Sequence, residues 1–266
     1  MRLCELVAYL DDYLKIREIK DTCVNGLEVD GGGARGPRRA GGAGDGDAEI
    51  RKVALAVDCN VETFEGARRE GAQMIIVHHG LFWDRPPSMR LVGPMYERVK
   101  LLLDSGLALY AAHLPLDMHP HVGNNAELAR LVGLTEEEAF GEHHGVLIGV
   151  AGKVAPTPLE DVAARLNERL DTECRVLGYG PSVVRTVAIC SGRAPEMMVD
   201  VYSKHIDVYI TGETSHEWSG YAEDAGMNVI FAGHWATETL GVKALGRHIS
   251  QKLGLETVFI PHPTGL

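Results

Sequence analysis

The sequence predicts an α/β protein of two related lobes, and three observations carry the prediction. Short apolar strand patterns alternate with helical ones along most of the chain. The run Val53-Ala54-Leu55-Ala56-Val57 is echoed by Val187-Ala188-Ile189-Cys190, each followed by a helix and then a second apolar strand at nearly the same distance. With 266 residues and 45% hydrophobic content, the chain is long enough to bury a full core in each lobe.

Residues 3–20 read as a helix, with Leu6, Leu10 and Leu14 on one stripe, before Asn25-Gly26-Leu27-Glu28-Val29 turns into a short strand. Residues 31–48 form an insertion rich in Gly, Ala, Arg and Asp, read as a flexible surface loop. Its Gly31-Gly32-Gly33-Ala34-Arg35-Gly36 is a formal G-x-G-x-x-G, but Pro37 and further glycines follow where a dinucleotide site needs a helix to present its amides. Strand 53–57, helix 62–70, strand 74–77, helix 95–103, strand 107–112 and helix 125–131 come next. A second block runs through strand 146–150, helix 158–170, strand 184–190, helix 194–204 and strand 208–210. After the apolar run 229–233, a helix over 237–253 and a strand over 257–260 close the chain. Domain limits follow as 1–135 together with 226–266 for one lobe and 140–225 for the other.

Composition excludes several classes of function. A formal charge of −11 argues against neutralising a nucleic-acid backbone, and the one dense basic cluster, Arg35 with Arg38 and Arg39, sits in the insertion. No run approaches the roughly 20 apolar residues of a membrane span, and Met1-Arg2-Leu3-Cys4-Glu5-Leu6 opens an amphipathic helix rather than a signal core. A cytoplasmic location is the default. Cys4, Cys23, Cys59, Cys174 and Cys190 are odd in number and contain no C-x-x-C pair, which disfavours a disulfide framework or a zinc ribbon. They read mostly as buried small hydrophobes.

The chemistry lies at the ends of three apolar runs. Met74-Ile75-Ile76-Val77 ends in His78-His79-Gly80, Ala108-Leu109-Tyr110-Ala111-Ala112 in His113-Leu114-Pro115-Leu116-Asp117, and Val229-Ile230-Phe231-Ala232-Gly233 in His234-Trp235-Ala236-Thr237-Glu238. Carboxyl ends of strands line the ligand crevice of an open α/β sheet, so three such strands side by side would bring these residues together. Successive residues of a strand face opposite ways, so His78 and His79 suit two neighbouring ions better than one. His234 and Glu238 share a helix face if the helix begins by Trp235, and Asp117 reaches the crevice from a loop. Three imidazoles and two carboxylates exceed a lone tetrahedral zinc and fit a pair of ions, with Glu238 the best bridge and water in the open positions. His113 has two readings, a structural imidazole beneath the site or an acid/base group facing the ions. Glu213 is a second candidate for moving protons, and His216 lies near it. His119, His121, His143 and His144 read as solvated loop residues, and Trp83 as a packing aromatic at the rim of the cleft.

These segments carry a family resemblance. Asn25–Val29, Val77–Trp83, Leu109–Asp117, Thr211-Gly212-Glu213 and Gly233–Glu238 occur in order and resemble the GTP cyclohydrolase I type 2 homologue family, also called Nif-three-like proteins, in its bacterial YbgI-like branch. The likeness covers nearly everything outside 31–48. It implies two duplicated α/β lobes with mixed sheets flanked by helices, a homohexameric toroid, and two divalent ions per chain, iron, zinc or manganese. His78, His79, Asp117, His234 and Glu238 match the family's metal ligands, and His113 matches a neighbouring histidine. The family name implies opening of a nucleotide ring, so a metal-dependent hydrolase acting on a nucleotide or related heterocycle is one expectation. A non-catalytic metal-binding scaffold or regulator is the other, since no phosphate-cradling loop precedes a helix.

Overall fold

Leu3, Leu6 and Leu10 recur at helical spacing, and in the computed structural model they form the buried face of α1 (Leu3–Tyr13). That helix is shorter than the 3–20 expected, because Lys15 takes a left-handed φ of 54°. The structure describes residues 1–31, 48–84 and 90–265. The expectation of a flexible insertion at 31–48, with its glycine motif and basic cluster, lies almost wholly outside the described residues.

After α1 come β1 (Gly26–Asp30), β2 (Lys52–Asp58), α2 (Val61–Arg69), β3 (Met74–His79), α3 (Pro94–Ser105), β4 (Ala108–Ala111), the short α4 (Leu114–Asp117) and α5 (Asn124–Val132). The chain continues through β5 (Thr135–His143), β6 (Val146–Pro158), α6 (Leu159–Leu170), β7 (Arg175–Gly178), β8 (Val183–Arg193), a 3₁₀ turn and α7 (Met198–Ser203), and β9 (Val208–Glu213). It ends with α8 (His216–Asp224), β10 (Asn228–Phe231), α9 (His234–Leu253) and β11 (Glu256–Phe259).

Two units result. The first comprises Met1–Leu116 with Val242–His262. Its sheet has the order β1-β4-β3-β2-β11, with four parallel strands and β1 antiparallel at one edge. The unbroken apolar sequences of β2, β3 and β4 are explained by their burial on both faces, as helix-covered parallel strands require. Ile75, Val77, Phe64 and Leu109 pack at the centre of this unit. The Asn60 side chain caps α2 by accepting from the Thr63 amide at 2.9 Å.

The second unit comprises Asp117–Gly241 with Pro263–Leu266. Its sheet runs β5-β6-β8-β9-β10-β7, of which β8, β9 and β10 are parallel and the rest antiparallel. Leu128, Leu166, Val187, Ile210 and Ile230 fill its core. Both sheets are therefore mixed, as the resemblance implies.

The duplication extends to the register. In β1-β4-β3-β2 and in β7-β10-β9-β8 an antiparallel edge strand is followed by three parallel ones. Met74 pairs with Val53 on one side and Ala108 on the other; Val208 likewise pairs with Val187 and Asn228. The order helix, edge strand, strand, helix, strand, helix, strand is the same from α1 to β4 and from α6 to β10.

Three expectations are corrected. The three ligand-bearing strands do not lie side by side: β3 and β4 adjoin, but β10 hydrogen-bonds between β9 and β7 in the other sheet. For the same reason residues 226–241 group with the second unit rather than the first, as do 117–135, whose helix α5 packs in the second core. His119 is not solvated but buried, its Nδ1 accepting from the His121 and Val122 amides at 3.2 Å. Cys23, Cys59 and Cys190 are buried as expected, whereas Cys4 is exposed. Among the described residues no helix is long and apolar enough to cross a membrane.

Candidate metal centre

In the first unit, β3 carries His78 and His79 at its carboxyl end, and His113 follows the adjacent β4 after one residue. His78 is fully buried, and its Nδ1 lies 3.0 Å from the Ala112 carbonyl. His79 Nδ1 lies 2.8 Å from Asp58 Oδ1, and Asp58 is the residue opposite it on β2. His113 Nδ1 lies 3.0 Å from each oxygen of Asp21. A neutral ring whose Nδ1 faces a carbonyl or carboxylate oxygen places its proton there, and that tautomer leaves the Nε2 lone pair for a metal. Adjacency in the strand does not hold the rings of His78 and His79 apart, since their centroids are 4.8 Å from each other. One nitrogen from each of His78, His79 and His113 falls within 4.8 Å of the others. The donor set thus fits a metal ion: imidazoles oriented by oxygen acceptors on the far side of each ring are how proteins present nitrogen ligands.

The turn after the histidines is held from below. A Cβ on Gly80 would meet Glu28 Oε1 at 2.5 Å and Ala111 Cβ at 2.7 Å, so only glycine lets the chain pass. Glu28 accepts from the Leu81 and Phe82 amides at 2.7 and 3.0 Å. Burial pushes its carboxyl up to about 7, against the downward pull of those two amides. A carboxyl whose folded value is raised binds protons that the unfolded chain has already released. Its share of stability is therefore complete at pH 4 and is lost as pH rises to about 7, a decline of about 3 kcal/mol. Urea titrations at pH 5 and pH 8 in the presence of chelator should show this decline in the wild type and a markedly flatter one in Glu28→Gln. Equal slopes would dismiss the buried-carboxylate account. Trp83 packs on the same core and donates from its indole nitrogen to the Gly80 carbonyl at 2.9 Å, in keeping with a packing aromatic.

In the second unit, β10 leads through Ala232 and Gly233 to His234, the first residue of α9, one position earlier than the spacing required. His234 and Glu238 then share a face, with Nε2 and Oε1 3.2 Å apart. His234 Nδ1 lies 2.8 Å from Glu213 Oε1, so Glu213 orients that ring through a direct hydrogen bond. Asp117 closes α4 rather than lying in a loop, and it is buried. Its Oδ1 accepts from Asn124 Nδ2 at 2.8 Å and Ser191 Oγ at 2.9 Å. Asn124 Oδ1 in turn accepts from the Gly241 amide, and Asn125 Oδ1 from the Ser191 amide. His216 stands exposed in the first turn of α8.

Of the residues singled out from sequence, His78, His79 and His113 cluster in the first unit, and His234, Glu238 and Glu213 in the second, where Asp117 is anchored by Ser191 and Asn124. Sequence reasoning missed the groups behind the rings. Asp58 had a readable signal, since it ends the apolar run of β2 as His78 ends that of β3. Asp21 had none, because it lies 92 positions from His113.

Full-length relatives share this arrangement of the chain. A Pyrococcus horikoshii protein named GTP cyclohydrolase 1 type 2 homolog is 42% identical over 264 residues, covering 98% of each chain. A Deinococcus radiodurans protein of the same name is 38% identical over 263 residues, covering 98% of this chain and 94% of the relative. Among solved structures, a Thermus thermophilus protein superposes with a TM-score of 0.86 at 38% identity over 100% of both chains. The protein ybgI, described as of unknown function, gives 0.87 at 32% identity over 99% of this chain and 100% of its own. The family model for Duf34/NIF3 (NGG1p interacting factor 3) matches residues 1–264, and the chain belongs to that family.

Proposed function

We propose that the protein is a dinuclear metal-dependent hydrolase acting on a nucleotide or related heterocycle, with His78, His79, Asp117, His234 and Glu238 as the ligands of two divalent ions. One observation carries the reading: His78, His79 and His234 each have Nδ1 within hydrogen-bond distance of an oxygen, the arrangement that orients a ring for metal binding through Nε2. Ser191 and Asn124 act similarly on Asp117 by fixing one of its oxygens. Bound there, iron, zinc or manganese would supply Lewis-acid polarisation of a C=N or C=O bond and acidify water toward neutral pH. His113 takes and returns protons at that bond, and Glu213 keeps the His234 ring in its tautomer. The substrate class rests on the relatives' name, GTP cyclohydrolase 1 type 2 homolog, as does association into a homohexamer on the family likeness; light scattering tests the latter.

Elemental analysis of protein purified without a metal-affinity tag should find about two ions per chain, the number a paired site holds. His79→Ala and Glu238→Ala should each lower this to about one or less. Unchanged metal content in both variants would refute the ligand set. Metal-replete protein is then offered GTP and a panel of purine and pterin heterocycles, with formate release and ring opening as readouts. Turnover supports the hydrolase. Failure on the whole panel with each of the three metals would leave a metal-binding scaffold as the reading to keep.

A further inference from the structure

The buried carboxylate behind His113 sets it apart from His78 and His79. His78 leans on a neutral carbonyl, and the Asp58 side chain behind His79 is 28% exposed, whereas the Asp21 side chain is only 2% exposed. Asp21 is itself clamped, accepting from the Cys23 amide at 3.1 Å, Asn25 Nδ2 at 2.8 Å and the Leu114 amide at 3.0 Å. Asn25 completes the clamp, because its Oδ1 accepts from the His113 amide at 2.7 Å. Both the ring and the backbone of His113 are thus fixed by residues 21–25. The sheet enforces this meeting: β1 begins at Gly26, which pairs with Ala111 of β4, so the segment before one strand must lie beside the segment after the other. Trp83 stands edge-on to His113 with centroids 5.1 Å apart.

We propose that Asp21 is the positioning residue that holds His113 in its Nδ1–H tautomer and turns a bare Nε2 toward the rings of His78 and His79. The inference rests on His113 as the proton-handling group of the proposed function, and it adds what makes that role work. A carboxylate behind an imidazole selects the tautomer and stabilises the cation formed when the far nitrogen accepts a proton. In a low-dielectric setting the effect is larger than at an exposed pair. The proton balance closes on His113 alone. Nε2 takes a proton from water as the oxygen attacks and gives it to the leaving atom, while the Nδ1 proton stays on the hydrogen bond to Asp21 throughout.

The test uses full-length protein carrying nitrogen-15 only in its histidine rings, with His113 assigned by its disappearance in His113→Gln. In chelator-treated wild type, long-range proton–nitrogen correlations should show His113 protonated at Nδ1 and bare at Nε2. Asp21→Asn keeps the shape but turns an amide donor toward the ring, so the proton should move to Nε2. A wild-type His113 protonated at Nε2, or an Asp21→Asn variant that keeps the Nδ1–H form, overturns the proposal. Should Asp21→Asn fail to fold, the wild-type spectrum alone decides it. Zinc chloride is then added to the wild type. Movement of the His78 and His79 Nε2 signals with the His113 tautomer unchanged supports both readings. A His113 Nε2 shift as large as theirs makes it a ligand and overturns its proton-handling role. If His78 and His79 do not respond, the metal reading fails while the Asp21 assignment stands on the tautomer. In an assay with a converted substrate, Asp21→Asn should lower kcat by about 10²–10⁴-fold with little change in KM.

Discussion

Asp21→Ala should cost about 3–5 kcal/mol of stability, because it breaks a buried hydrogen-bond network built on one carboxylate. The carboxylate collects hydrogen bonds from Cys23, Asn25, His113 and Leu114. Alanine leaves these donors without their acceptor, and each charge-assisted bond lost is worth about 1.5–3 kcal/mol before mutual compensation. Burial pushes the Asp21 carboxyl up, but His113, Asn25 and the Cys23 amide outweigh it and hold the group well below the usual carboxylate range. The sign of the pH dependence follows. A carboxyl with a depressed folded value contributes fully above its unfolded value of about 4 and loses the contribution as pH falls through the folded one. Urea unfolding should therefore show a constant gap between wild type and Asp21→Ala from pH 5 upward, as far as this carboxyl governs it. The gap should narrow only below about pH 4. A gap under about 1 kcal/mol at pH 7 would mean that the clamp is rebuilt without the carboxylate, since loss of a buried charged acceptor costs more than that.

The elements that were legible share one physical property. β2, β3, β4 and β10 are buried along nearly their whole length, so each holds a continuous apolar run, and such runs announce themselves. Apart from the single buried turn of α4, the elements that were missed are the solvated ones. β5 carries Glu136, Glu137 and Glu138 on a largely exposed edge, where charge protects the open side of the sheet and erases the alternation a reader looks for. α8 buries only Ala222, so it has almost no apolar stripe to betray it. β7 has a single buried residue, Leu177.

Which sheet a strand joins is a different kind of information. Asn228-Val229-Ile230-Phe231 reads the same whether it extends the first sheet or the second, because its pairing is decided by the register of β9 and β7, far away in sequence. The candidate ligands His78, His79 and His234 were readable as histidines that follow apolar runs. Their supports were not. Asp21, Ser191 and Asn124 lie in segments whose local pattern is satisfied without them, and only the folded chain brings an oxygen behind each ring or a donor to Asp117. The weak echo between 53–57 and 187–190 understated the duplication, since register is conserved in the two sheets where side chains are not. Thus the strand pair that ends in His79 in one copy ends in Glu213 in the other, and where the first copy places a candidate ligand the second places the group that orients the His234 ring.

Gly192→Ala should weaken metal binding in the second unit by at least about 10–100-fold, although Gly192 itself offers no ligand atom. Gly192 lies in the β8 bulge between Cys190 and Arg193, with φ of 65°. The bulge serves the site twice: it turns Ser191 Oγ toward Asp117, and it leaves a gap that the Glu238 carboxylate fills. A Cβ built on Gly192 would fall on Glu238 Oε1 and come within 3.3 Å of His234 Nε2. Neither the helix nor the bulge yields easily, because the Gly192 amide donates to Thr237 Oγ1 at 3.1 Å and its carbonyl accepts from Thr211 Oγ1. The carboxylate must swing away, which costs zinc affinity by at least the about 10–100-fold seen when a ligand loses its support. Strain at the left-handed φ adds about 1–2 kcal/mol of destabilisation, measurable by urea. Gly220→Ala is the control: its Cβ meets nothing within 4 Å in α8, so zinc affinity should hold while stability rises by about 0.5–1 kcal/mol. If Gly192→Ala instead binds zinc as the wild type does, Glu238 does not hold an ion from the position it occupies beside the bulge, and the bridging carboxylate must be sought elsewhere.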